Sequence, residues 1–472
     1  MSFATEVAKS VSDLRVLAEI DIGQLNTQWV NIGAGIWYVD AENIYTYVDD
    51  TLLDGFTAQE FTAIGSVYVD GYEQTEVDSI AEVTTTAESF YYDPTDRALY
   101  VRLENFDEPS LHTITIGVIN GFSYDEFTPT GSPTLYEGRL ETAPSVSKRR
   151  DPLFFGKLSY GGGTIQLSNA DGEYDRWGED YDIYGQVARI RVGYPSLSIS
   201  EYEVIFTGYV SNVEIGELSA SVTIADKRRQ LTRPITYQCS AQNALATIQD
   251  ILTTYFPIVY NSTYFNTTEW AAAQALVDDV VIDMQEPQPA IEVIEYICAS
   301  VFGLFLVDPD GKFTFKVIDT SATAGTTFVA ADILSDHTAV YDPTEVISSI
   351  RVGYARDWAT TGTQYTYYTY SAEEADVFVK YKTYNQQEFP TALETLSAAT
   401  AYGTTVFDYT KDVHGSLPVE LPLAYYASDV GDIINVEIER ATKAMIGTTK
   451  SEIVSLSYKL DRVTIEFGVR FV

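Results

Sequence analysis

Histidine, cysteine and positive charge are all scarce in this chain of 472 residues. His112, His337 and His414 each stand alone in their segments. Cys239 and Cys298 are far apart, with no C-x-x-C and no histidine at metal spacing. A zinc site and a disulfide framework are therefore not expected to organise the fold. No serine sits in a G-x-S-x-G turn, although a triad assembled from distant segments leaves no local trace. Gly161-Gly162-Gly163 is followed by a strand pattern instead of Gly-Lys and a helix, so it is not a phosphate cradle, and no cofactor is expected. No apolar run has the length of a membrane span, and the opening MSFATEVAKSVSDLRVLAEI lacks the layout of a signal peptide. Against 68 acidic residues stand 29 Lys and Arg, a formal charge of −39 that argues against nucleic acid or an anionic membrane as a main partner.

What the chain has in quantity is tyrosine, 35 of them, among many Thr and Val, and such side chains suit a pleated, half-buried surface. At this length about three domains are expected, mainly β with an α/β insertion. Residues 1–140 read as a β-rich module of short strands, with Tyr92-Asp93-Pro94-Thr95-Asp96-Arg97 as a hairpin connection and TPTGSPTLYEG as the boundary. Residues 141–236 read as a small barrel. In it QVARIRVGY alternates with period two, Asn169-Ala170-Asp171-Gly172 makes a tight turn, and Gly208 interrupts EVIFTGYVSNVEI. A glycine there implies a bulge, a barrel corner or close approach of another backbone.

Residues 237–340 read as an α/β insertion. Ser240 is the expected N-cap of a helix stopped by Pro257, a second helix follows Pro289 and ends at Gly303, and Asp310-Gly311 turns a hairpin. Residues 341–472 read as a second barrel that begins at VISSIRVGYA and is interrupted at about 356–425 by a Tyr/Thr-rich stretch and an Ala-rich helix.

GGTIQLSNADGEYD, FTGYVSNVEI and SVTIADKRRQL, in that order, resemble the first barrel of phage tail-tip or baseplate hub proteins. AIEVIEYIC followed by GLFLVDPDGKFTFKV resembles the helix and hairpin of that family, and VGDIINVEIER with SEIVSLSYKLDRVTIEFGV its closing strands. The resemblance implies two hub barrels and a structural role without catalysis. It implies a homotrimer forming a pseudo-sixfold ring in the virion tail, between the tail tube protein and a spike or central fibre protein, with peripheral baseplate proteins around it. The extra N-terminal module would bind one of those proteins or a carbohydrate. Acid would then line a channel that must pass DNA without holding it, whereas solubility or a salty habitat would spread acid over every face.

Two basic clusters, Lys148-Arg149-Arg150 and Lys227-Arg228-Arg229, stand out in so acidic a chain. Local ion pairing is one account, and contact between like-charged copies the other. With Gly208 they are the candidate structural and interface residues. Two alternatives to a hub are kept. A receptor- or glycan-binding adhesin would use the tyrosines of 365–370 as a platform. A wall-degrading enzyme would need paired carboxylates, of which Asp171, Glu173, Asp175, Glu179 and Asp180 are the densest group. Asp308-Pro309-Asp310-Gly311 begins like a calcium loop, but Lys312 occupies a ligand position, so no metal is expected.

Overall fold

The computed structural model describes residues 14–472 except 25–29, 32–36, 40–44, 49–63, 70–71, 78, 86–88, 94–97, 104–113, 133–134, 152–155, 160, 176, 178–180, 335–338, 359–363 and 439–446. The chain is mainly β, with most of its described helices in the second half. It divides into two compact units: 1–145 with 162–225, and 146–161 with 226–472.

In the first unit Gly162–Ser168, Val187–Gly193, Glu203–Ile215 and Ser219–Ala225 are built as the alternating pattern predicts. The last three form a meander, and Gly162–Ser168 pairs antiparallel with Ser219–Ala225. Arg15–Gln24 lies antiparallel to the free edge of Val187–Gly193, and Ile114–Phe122 adds beyond it. Strands from before residue 140 thus share one sheet with those after it. The two ends of the run are joined by a short segment: Tyr136 and Glu137 pair with Gly121 and Phe122, Leu140 N–H donates to Ser123 O, and Ser168 N–H donates to Arg139 O. Val16, Ile20, Ile165, Ile190, Val192 and Val222 fill the interior. A separate small sheet contains Ser89–Asp93 and Ala98–Arg102, paired with Asp93 facing Ala98 as a hairpin requires; its connecting residues lie outside the described ones.

The second unit repeats the four-strand plan with Gly415–Pro422, Ile433–Ile438, Gly447–Lys459 and Thr464–Phe471, in the same order and with the same antiparallel pairings. The likeness extends to detail. Each long central strand spans 13 residues and carries an unpaired residue against its successor, Ser211 in one and Val454 in the other. Each second strand is preceded by a glycine at positive φ, Gly185 at 77° and Gly431 at 88°. Gly185 N–H donates to Val210 O and Gly431 N–H to Ile453 O, both at 2.8 Å, and Val210 and Ile453 return bonds to Gln186 O and Asp432 O. Thr326–Phe328 runs parallel to Ile433–Ile438, while Leu334 N–H donates to Glu420 O, so one segment again reaches both edges of the run.

The α/β insertion packs helices Ala244–Tyr255, Thr267–Gln274 and Ala290–Ser300 and the hairpin Gly303–Val307/Phe313–Val317 around buried Trp270, which meets Phe265, Phe305 and Phe315 edge-on. Three local expectations need correction. The first helix is capped by Asn243, whose side chain accepts from Leu245 N–H, because Ser240 is taken into the strand Gln238–Asn243. The second helix ends at Ser300, and the chain turns through Phe302, at φ 53°, before Gly303 starts a strand; a Cβ on Gly303 would fall 2.3 Å from the Phe315 ring, so the glycine is spent on packing. Ser349–Asp357 does not open the second barrel. It is the middle strand of a separate three-stranded sheet, between Gln364–Tyr370 and Gln386–Pro390, covered by helix Leu396–Thr410.

Candidate functional site

Gly208 faces Ala188 in the long strand Glu203–Ile215, and the strand's pairing skips a residue on either side of it, at Ile205 and Ser211. Two bulges in one strand bend it sharply. Between them the backbone of Ala225 comes so close that a Cβ on residue 208 would lie 2.3 Å from its carbonyl oxygen and 2.7 Å from the Phe206 ring.

The two basic clusters split by strand and helix geometry. Lys148 and Arg150 point inward from one strand and Arg149 outward, as alternation requires. The Lys148 ammonium donates to Asp429 at 2.9 Å and to Val307 O at 3.0 Å. Arg150 is fully buried; it meets Glu452 at 3.1 Å and donates to the Tyr409 hydroxyl, which itself donates to Glu452. Arg228 is likewise buried, held by Asp226 at 2.6 Å and donating to Ser159 O at 2.8 Å, and Lys227 beside it is buried. Breaking such a pair leaves an uncompensated charge in the interior, a cost of about 3–5 kcal/mol. Arg149 and Arg229 are exposed. Ser159 bonds the Arg149 backbone through its hydroxyl and takes the Arg228 side chain on its carbonyl, and Lys157, two residues before it, is exposed.

The carboxylate group of the Asn169 turn lines an open cleft of about 1030 Å³ in the first unit. Asp171 and Glu173 meet Asp125, Glu126 and Glu137 there, with Arg139 the one basic residue of the lining. Arg139 contacts Glu137 at 2.7 Å and Asp171 at 2.8 Å, and its hydrogen bond holds the Asp171 carboxyl at about 2. That is the opposite of the raised carboxyl a general acid needs. Asp175 is turned to structure: with Gly216 O it takes the amide of fully buried Asn169. Glu179 and Asp180 lie outside the described residues. Beneath the cleft, Tyr174 is 1% exposed with its ring under the Arg139 guanidinium, and its hydroxyl has no hydrogen-bond partner. Burial pushes that hydroxyl's pKa up, as does Glu137.

Besides Asp226, two more buried carboxylates escaped the sequence reading. Glu19 accepts from Arg191 at 3.0 Å and from the Tyr136 hydroxyl; Glu452 anchors Arg150. Their signal was there, an acid flanked by apolar residues within a strand, as in LRVLAEIDI and SEIVSL. The tyrosines of Gln364–Tyr370 are engaged within the chain: Tyr365 bonds Tyr296, Tyr367 donates to Glu388 beneath the Arg351 guanidinium, Tyr368 packs against Gly403 and Tyr370 against Phe407. Asp308 closes the expected hairpin, accepting from Lys312 N–H, and burial raises its carboxyl to about 6. His414 stacks on Tyr409, and burial, then Arg470, lower its pKa; His112 and His337 lie outside the described residues. Among the described residues, no cluster of His, Cys, Asp or Glu has metal-binding geometry, and no helix is long and apolar enough to cross a membrane.

No protein-family model and no curated protein matches this sequence. Solved structures to which the chain is similar are tail proteins. The tail protein from Neisseria meningitidis MC58 aligns over 72% of this chain and 94% of its own, at 10% identity and a TM-score of 0.47. The 43 kDa tail protein of prophage MuSo2 from Shewanella oneidensis aligns over 74% and 98%, at 13% identity and a TM-score of 0.45. Prophage tail protein gp18 from Listeria monocytogenes EGD-e aligns over 72% and 91%, at 10% identity and 0.43.

Proposed function

We propose that this chain is a structural hub of a phage-type tail, a homotrimer that joins the tail tube protein to a spike or central fibre protein. The observation that carries the reading is the duplicated four-strand unit, with its matched bulges and matched glycine turns. A chain holding one unit twice gives six copies of it in three chains, the number needed to meet a sixfold tube from a threefold assembly. The resemblance of its segments to tail hub proteins points the same way. The role is geometric and non-enzymatic, with no cofactor, and the place of work is the virion tail.

Particle mass in solution tests it. The expected result is a trimer of the 52.4 kDa chain by native mass spectrometry or sedimentation. A chain that stays monomeric at every concentration refutes the ring.

A further inference from the structure

The repeated four-strand plan has one unequal member. In the second unit the later half of the long strand Gly447–Lys459 carries an added strand: Val146, Ser147, Lys148 and Arg149 pair antiparallel with Tyr458, Ser457, Leu456 and Ser455, and Arg150 N–H donates to Val454 O at 3.0 Å. Counted from the matched bulge residues Ser211 and Val454, the first-unit equivalents of Ser455, Leu456, Ser457 and Tyr458 are Asn212, Val213, Glu214 and Ile215. These pair with Ser219–Ala225 on one side, and on the other, among the described residues, no strand pairs with them. Exposure records the difference. Leu456 and Tyr458 are each 3% exposed beside the added strand, whereas Ile215 is 37% exposed and Val213 half-buried. A bare strand edge keeps a row of unanswered N–H and C=O groups that a further strand can take up.

We propose that Asn212–Ile215 is a docking edge for an extended strand of a separate protein, one that sets a Lys or Arg opposite Glu214. The form of the ligand follows from the second unit, where the equivalent edge is filled by a strand. The chain's own filler cannot serve twice, because Val146–Arg149 is already paired within each copy. The charge of the ligand follows from Glu214, which stands where the second unit has Ser457. Its carboxylate is exposed, held by the Asn212 amide at 3.1 Å and by no cation among the described residues. A carboxylate there repels the acidic segments in which this chain abounds and favours a cation directly across the pair. The inference rests on the hub reading for the identity of the donor: in a trimer, three of the six units have this edge filled within the chain and three present it open, a threefold set that suits the spike or central fibre protein.

The test uses the chain's own filler as the probe: a fluorescein-labelled peptide of residues 144–151 is titrated onto the full chain, with binding read by anisotropy and by amide hydrogen exchange. In the free protein, residues 212–215 should exchange faster than 455–458. The peptide should bind once per chain and slow exchange at 212–215 alone. Ser147 of the peptide would face Glu214, so Ser147→Lys should tighten binding roughly two- to fivefold and Ser147→Glu weaken it by as much, and Glu214→Lys in the chain should reverse that order. Val213→Pro removes a donor from the open edge and should abolish binding; where that variant misfolds, the reversed order on Glu214→Lys carries the test. No binding at about 1 mM peptide, an order indifferent to Glu214, or protection at 455–458 instead overturns the inference and leaves the trimer reading standing. Protection of 212–215 in the free trimer that is lost on dilution to monomer assigns the edge to another copy and overturns it as well. Peptide capture at 212–215 by a chain that stays monomeric at every concentration upholds the open edge and sinks the trimer reading.

Discussion

Replacing Gly208 by valine puts three carbons where the Ala225 backbone already lies, and the bulges on either side leave the strand no straight alternative. Even alanine meets the carbonyl oxygen, so the damage begins with Cβ and grows with branching. Gly208→Ala should cost at least about 2 kcal/mol and Gly208→Val more, enough to lower the melting midpoint by roughly 5 °C or to leave the protein insoluble. Thermal unfolding together with oligomer mass checks it; a valine variant unaltered in both would show that nothing depends on this position.

At the scale of elements, the joint made by Tyr136–Glu137 and the residues up to Leu140 is the most telling, since it bonds both to Ile114–Phe122 and to Gly162–Ser168, strands at opposite ends of the run. Tyr136 locks it by donating to the buried Glu19 carboxylate. Burial by itself would raise the Glu19 carboxyl, but Arg191, Arg189 and the Tyr136 hydroxyl outweigh it and hold the group below its usual value. A carboxyl depressed on folding stabilises above its unfolded pKa, and that contribution is lost as pH falls through the folded value. Tyr136→Phe should therefore cost about 1–3 kcal/mol at neutral pH, with a smaller acid loss than in the wild type, complete at a higher pH. Urea unfolding at pH 7 and at pH 4 measures both; identical pH profiles would remove the hydroxyl from the account. The two four-strand runs, the hairpin at Asp310-Gly311 and the helices Ala244–Tyr255, Ala290–Ser300 and Leu396–Thr410 were legible in the sequence because each rests on local periodicity or turn chemistry, whereas Thr267–Gln274 was not read as a helix. The joint was not, since Tyr136 and Glu19 meet across 117 residues, and neither was the membership of Ser349–Asp357, whose pattern suits any buried strand equally. The acidic cleft was visible as a charge run, but Arg139 and Tyr174, which give it form, come from two turns distant in the chain that look unremarkable by themselves.

For the whole molecule the question is where the excess acid sits. DNA carries one charge per about 1.7 Å of duplex, so a basic channel would trap it through counterion release while an acidic one leaves it mobile. If the proposed ring lines such a channel, its calculated potential along the axis should be strongly negative and the outer wall less so. Reversing lumen acids to lysine should slow DNA ejection with assembly intact. A neutral or basic axis, or acid spread evenly over every exposed face, would remove the channel reading.

The duplicated four-strand plan also bears on how a nascent chain avoids error. Two units with one topology offer each long strand two possible successors, and repeated architectures characteristically misassemble by exchanging such strands. At matching positions the first unit pairs Tyr209 with Ala225, whereas the second pairs the buried Glu452 with Arg470. An exchanged strand would put the methyl group of Ala225 where Arg470 donates to Tyr409 O and stacks on the Tyr409 ring, beside the Arg150–Glu452 pair. The difference between the copies is thus a proofreading mark, written in the seat that Tyr409 gives Arg470, by which each half of the chain tells its own strand from the other's.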